Sequence, residues 1–280
     1  MGKLLKKYWP IFVLPTFLAF ILGFIVPFVL GIGLSFTDFT TVVDFEFRGF
    51  ENYIIALKDP TFVYSFWFTA AFSIISIVII NLFAFILAYI LTNKIPGTNI
   101  FRTIFFMPNL VGGIVLGYIW SLLFDGVLAQ FDTALKVSEE YGFWGLVIVV
   151  AWQQIGYMMI IYIAGLQNIP GSLNEAAKID GANKWQTLKS ITIPMMMPTI
   201  TITTFLTMIN SFKLFDQNLS LTAGEPASMT EMLALNIFNS FYLRTGYEGV
   251  GQAKAVIFFI LVATLGIVQT YFTRKNEVEI

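Results

Sequence analysis

The chain has 280 residues, 57% of them apolar and 12% charged, with a formal net charge of −1 and a mean hydropathy of +0.79. That balance lies outside the range of soluble domains and excludes a basic nucleic-acid binder, so the solvent for most of this chain is a lipid bilayer. It contains no cysteine and no histidine, which removes disulfides, thiolate metal sites and the commonest general base; no G-x-x-x-x-G-K-[ST] run is present to hold a nucleotide. No catalytic residue, metal or cofactor is expected.

About 20 apolar residues at 1.5 Å rise cross a hydrocarbon core of roughly 30 Å. Six such runs occur in chain order. The first, about 11–36, follows Lys3, Lys6 and Lys7; it is too long for a signal-peptide core and has no small-residue cleavage site, so it is read as a retained span that Pro15 and Pro27 kink. Next comes 64–92, with sixteen Leu, Ile, Phe or Val residues against Asn81, each contributing about −0.3 to −0.6 kcal/mol to insertion. The third is 103–124, where Gly113 and Gly117 form a small-xxx-small pair suited to close helix contact. The fourth, fifth and sixth are 143–166, 192–212 and 255–273. The expectation is an all-α polytopic protein, 1–280 being one transmembrane domain with six helices.

Lys and Arg bias orients the spans. With the N-terminus inside, ten basic residues, including Lys94, Lys178, Lys184, Lys189 and Lys275, fall inside and six outside. Both termini are therefore expected in the cytoplasm, and so is the charged block between spans four and five.

That block, 170–191, reads as two short helices. Ser172 precedes Glu175 by three residues, the spacing of a capping box; Gly181 suits the left-handed position after a helix, and Asn183 opens a second helical segment before Pro194 and Pro198. Glu175-Ala176-Ala177, then Asp180-Gly181-Ala182, then Ile191-x-Ile193-Pro194 resemble the EAA loop of binding-protein-dependent ABC importer permeases. Further segments extend the resemblance along the chain: "LSFTDF" at 34–39, "GFENY" with "KDP" within 49–60, "FRTIFFMP" at 101–108, "GYMMIIYIAGLQNIP" at 156–170, "FKLFD" at 212–216 and "LTAGEP" at 221–226. They are similar to sugar-importer permeases of the maltose and multiple-sugar type, and Glu225 departs from the glycine usual in the last motif.

The resemblance implies a permease subunit of an ATP-driven sugar importer in the cell membrane of a prokaryote. Glu175, Ala176, Ala177, Asp180 and Gly181 would contact the cytoplasmic ATPase. Two ATPase subunits, a second permease subunit expected to be a paralogue, and an external solute-binding protein complete the implied assembly. A stand-alone secondary transporter is the alternative, but no internal repeat or central charged residue supports ion coupling. An intramembrane protease would need a nucleophile with a base beside it, and none stands out.

A neutral, hydroxyl-rich solute calls for amides, hydroxyls and an aromatic face inside the bilayer. Span four supplies Gln153, Gln154 and Tyr157, with Trp152 beside them, and span five supplies Thr203, Thr207, Asn210 and Ser211. Gln153, Gln154, Tyr157, Thr207, Asn210 and Ser211 are the candidate path residues; hydrogen bonding between helices is the competing role. Lys213 and Asp216 are spaced to pair as an interface anchor. In 217–254, Ser228 and Glu231 suggest another capping box, and Met229, Leu233, Ile237 and Phe241 an amphipathic helix resting on lipid headgroups or near the docking site of the binding protein.

Overall fold

Proline placement decides where the apolar runs of this chain break. A computed structural model describes residues 2–39, 41, 45–93 and 96–274; Lys94 and Lys275, which entered the orientation argument, lie outside them. The first helix, α1 (Gly2–Phe20), carries Pro15 without interruption. It passes through a widened π turn, Ile21–Ile25, into α2 (Val26–Leu34). Pro27 sits at the start of α2 and has no N–H to bond the carbonyl of Gly23, and the wider turn accommodates that missing rung.

A short antiparallel hairpin follows, β1 (Thr37–Phe39) with β2 (Phe45–Phe47), Asp38 opposite Glu46. Then come α3 (Glu51–Lys58) and the long α4 (Pro60–Thr92). The expected third span is corrected at its start. Residues 98–112 form a separate helix, α5 (Thr98–Phe106), and a 3-10 turn over Met107–Leu110; the crossing helix is α6 (Gly113–Leu128). Pro108 and the extended Gly112 break the run, which is continuous in hydropathy but not in backbone hydrogen bonding.

The fourth span is α7 (Glu139–Gln167), capped by Ser138, whose side chain accepts from Glu140 N. Beyond it lie α8 (Gly171–Ile179), α9 (Lys184–Thr187), a π turn over Leu188–Thr192, α10 (Ile193–Met195) and α11 (Met197–Phe212). The fifth span is thus two helical pieces, Lys184–Met195 and Met197–Phe212, bent by 67°, with Pro194 and Pro198 bracketing the bend. The chain closes with α12 (Asp216–Leu221), α13 (Leu233–Tyr242) and α14 (Glu248–Arg274), the last starting seven residues before the expected 255. Among the described residues five helices are long and apolar enough to cross a membrane, or six if the bent pair is one span.

By proximity the chain divides into two compact units, 1–60 with 237–259, and 61–236 with 260–280. In the first, Asn52 Nδ2 donates to the carbonyls of Ser35 and Thr37, and the Phe28 ring meets Phe259 edge-on at 4.8 Å. The second contains the main core, in which Phe72, Ile80, Leu146, Val150, Met158 and Met159 are buried. The pair Gly113 and Gly117 behaves as its spacing predicts. A Cβ on either would strike α12, at Asp216 and Gln217 for the first and at Ser220 and the Gln217 backbone for the second.

Three smaller expectations are corrected. Lys213 and Asp216 are exposed and form no ion pair with each other among the described residues. Ser228 lies at φ +63° in a turn, not at a helix start, and its carbonyl accepts from Glu231 N. That turn is organised by the buried Asn218, whose amide donates to Thr222 Oγ1 and Thr230 O and whose Oδ1 accepts from Met232 N at 2.9 Å. Finally, α13 buries Leu233, Leu235, Asn236 and Ser240, whereas Met229 precedes it and is exposed. The expected apolar repeat therefore loses Met229, and the helix begins at Leu233.

Candidate functional site

The block 170–191 folds into a knob whose geometry accounts for its residue pattern. Helix α8 has good formers from Leu173 to Ile179, and it stops through a left-handed turn: Gly181 has φ +74°. Ala182 N donates to Ala177 O at 2.9 Å and Gly181 N to Lys178 O at 3.2 Å, the paired bonds of a Schellman ending. Ala177, at the inner contact of that motif, is buried. A Cβ at Gly181 would meet nothing within 4 Å, so the backbone conformation, not space, calls for glycine there.

The expected Ser172–Glu175 capping box is absent. Pro170 occupies the cap position and no side chain caps the helix, because the chain turns into α8 two residues earlier than that spacing assumes. The reciprocal box occurs instead on α9: Asn183 Oδ1 accepts from Gln186 N at 2.9 Å and Gln186 Oε1 from Asn183 N at 2.8 Å.

Glu175, Ala176, Asp180 and Gly181 are exposed on this knob, together with two residues that sequence reasoning passed over. Ile179 is 86% and Trp185 69% exposed. A hollow of about 370 Å³ in the knob is lined by Ala177, Asp180, Ala182, Gln186 and Ile191. Two large apolar side chains left in the open beside charged residues have the make-up of a protein-binding surface. Their signal in the sequence was large apolar residues set beside charged ones, Ile179 between Lys178 and Asp180 and Trp185 after Lys184.

The candidate path residues sort into two groups. Gln153, Gln154, Thr207 and Ser211 are buried within the chain, while Tyr157 and Asn210 are half-buried. Gln153 donates to Val111 O at 3.0 Å and accepts from Gln217 Nε2 at 2.6 Å; Asn210 donates to Gln154 Oε1 at 3.3 Å. Ser211 Oγ has no hydrogen-bond partner among the described residues. Thr207 belongs to a closed circuit in which Tyr162, Thr203 and Thr207 are buried and Asn81 is half-buried. The Thr203 hydroxyl lies 2.8 Å from that of Tyr162, which donates to Asn81 Oδ1 at 2.9 Å. Asn81 Nδ2 donates to Thr207 Oγ1, and Thr207 donates to Thr203 O. In low dielectric such a circuit ties α4, α7 and α11 together. Asn81 and Tyr162, its hub, were missed as partners because 81 residues separate them.

Among the described residues no group of His, Cys, Asp or Glu is placed to hold a metal. Residues 94–278 match the family described as binding-protein-dependent transport system inner membrane component. The chain belongs to this family. It is 45% identical, over 97% of its length and 95% of the relative's, to the probable starch degradation products transport system permease protein AmyD of Thermoanaerobacterium thermosulfurigenes. It is 31% identical to the multiple sugar-binding transport system permease protein MsmF of Streptococcus mutans, over 99% of both chains. Its fold is that of a chain in the bacterial alginate ABC transporter solved in complex with an alginate pentasaccharide-bound periplasmic protein, with a TM-score of 0.82 at 17% identity, covering 98% of this chain and 97% of that one. As a member of this family the chain is a membrane transport component and not itself an enzyme.

Proposed function

We propose that this chain is the permease subunit of an ATP-driven sugar importer, forming half of the translocation path beside a second permease subunit. The observation that carries the reading is the knob: a glycine-locked pair of short helices that holds Glu175 and Asp180 beside the uncovered Ile179 and Trp185. It leads through a π turn and a 67° bend directly into α11. A cytoplasmic ATPase that seats on the knob acts on the membrane through that bend, since a ligand moves an equilibrium only by its differential affinity for the two states. The sugar permeases named above support the substrate class.

Both termini lie in the cytoplasm on this reading, and an external solute-binding protein delivers the sugar. Tyr157 and Asn210 face the path from their half-buried positions, with Gln154 behind Asn210 holding its amide. Gln153 and Thr207 stand further back and shape the path through the helices they join, and Ser211 is buried with them.

The test is recovery of the complex from the membrane of its own cell. The tagged chain is expected to bring down a cytoplasmic ATPase and a second membrane subunit. Proteoliposomes of that complex should accumulate labelled oligosaccharide only with ATP and the binding protein. Uptake by the purified chain alone would overturn the proposal in favour of a secondary transporter.

A further inference from the structure

A cleft of about 650 Å³ is lined by Glu51, Ile54, Lys58, Asp59, Arg244 and Tyr247, a volume in the range of small-molecule sites. Its place in the chain sets its depth. Pro60, also in its wall, is the first residue of α4, and Tyr247 immediately precedes α14. Both helices are long and apolar enough to cross a membrane, so the cleft lies where two spans leave the hydrocarbon, at the level of lipid headgroups. Aromatic side chains mark the same level on α4, where Tyr64 and Trp67 are exposed about one and two turns beyond Pro60.

The cleft holds charges of both signs, and several of their donors and acceptors stay open to a ligand. Asp59 accepts at 2.7 Å from Lys254, a fully buried ammonium that also donates to Ser240 Oγ. Arg244 Nη1 lies 3.6 Å from the same Asp59 oxygen, and its side chain is 45% exposed; a guanidinium has five N–H donors, so others remain for the cleft. Lys58 forms no ion pair among the described residues. Glu51 is 58% exposed, with Arg48 at 4.0 Å as its ion-pair partner. Beside these charges Phe50, Ile54 and Leu57 are each more than half exposed, and the first two line the cleft.

We infer that the cleft binds one glycerophospholipid carrying a phosphate and a primary amine, as phosphatidylethanolamine does. Lys58 and Arg244 take the phosphate, Glu51 takes the ammonium, and an acyl chain runs along Ile54 and Leu57. Charge-assisted bonds from a lysine and a planar guanidinium suit a phosphate, and the one carboxylate left open suits an amine. Each charge of the headgroup then meets its opposite. A phosphate without the amine leaves Glu51 facing like charge, and a neutral sugar leaves Lys58 without a counter-charge. Only the leaflet, the outer one, rests on the importer reading.

The experiment delipidates the whole complex in detergent, offers it equal amounts of phosphatidylethanolamine, phosphatidylcholine and phosphatidylglycerol, and identifies retained lipids by native mass spectrometry. Phosphatidylethanolamine is expected to be retained over the other two and to raise the thermal unfolding temperature of the complex. The double variant Lys58→Gln/Arg244→Gln, in which Asp59 keeps Lys254, should lower that retention by about tenfold or more and lose the thermal shift. Glu51→Gln should keep a bound phospholipid but lose the preference for ethanolamine over choline. Equal retention of the three lipids, or retention unchanged in the double variant, overturns the inference. So does displacement of the lipid by inorganic phosphate in excess, which makes the cleft a site for a free anion. ATP-driven uptake by the same preparation tests the importer reading separately: its absence removes the outer leaflet from the proposal, whereas uptake without lipid selectivity overturns the lipid site alone.

Discussion

At the scale of single residues, Gly181 shows how a backbone requirement becomes a functional one. A left-handed φ of +74° costs a non-glycine residue about 1–2 kcal/mol. The space around its Cα is open, so Gly181→Ala strains the turn without a clash and is expected to lower ATP-driven uptake only in part. Aspartate tolerates the left-handed region better than alanine, but it adds a carboxylate beside Asp180 on the face proposed to meet the ATPase. Gly181→Asp is therefore expected to abolish uptake while the chain stays inserted; uptake at the wild-type rate in that variant would remove the knob from the mechanism. Gly181 was legible because a helix-ending glycine has a local signature. Ser172 was misread because the same spacing rule cannot tell a cap from the second position of a helix that starts earlier. Lys254 is a buried member of an ion pair with Asp59, 195 positions away, and no local pattern marks such a partner.

At the scale of elements, hydropathy located every apolar run but not the breaks within them. Continuous hydropathy carried the third span through Pro108, where the backbone ends α5 and begins again at Gly113. The bend in the fifth span was likewise hidden, although Pro194 and Pro198 marked its place. Glycine contacts between helices were partly legible, and they predict an asymmetry. An added methyl at Gly117 meets chiefly the Ser220 hydroxyl, the end of a short side chain that can rotate away, with the Gln217 carbonyl behind it at 3.2 Å. At Gly156 it meets the Phe105 carbonyl and the Phe106 nitrogen, main-chain atoms of α5 that have no rotamer to change. Gly156→Ala should then destabilise by about 1–3 kcal/mol, as overpacking of a filled interior does, and Gly117→Ala by less. Thermal unfolding of the detergent-purified complex measures both, and an equal or reversed order would show that α5 yields more easily than α12.

At the scale of the whole molecule, six apolar runs are read from hydropathy, and among the described residues five helices, or six with the bent pair as one, are long enough to cross; family membership follows from the match over 94–278. Which side chains line the path was the least legible feature. Amide and hydroxyl groups suited to a sugar are equally suited to holding helices together, and Thr207 with Asn81, Tyr162 and Thr203 does the latter. The central claim is that another protein's ATP acts on this chain through the knob. Because the chain has no native cysteine, Ile179→Cys introduces a single thiol at the most exposed apolar point of the knob. The decisive measurement is thiol-to-amine cross-linking from that position in the intact complex. A product with the combined mass of this chain and the ATPase subunit is expected, its yield changing when a non-hydrolysable ATP analogue is added. A complex that retains its ATPase yet gives no such product would contradict the central claim.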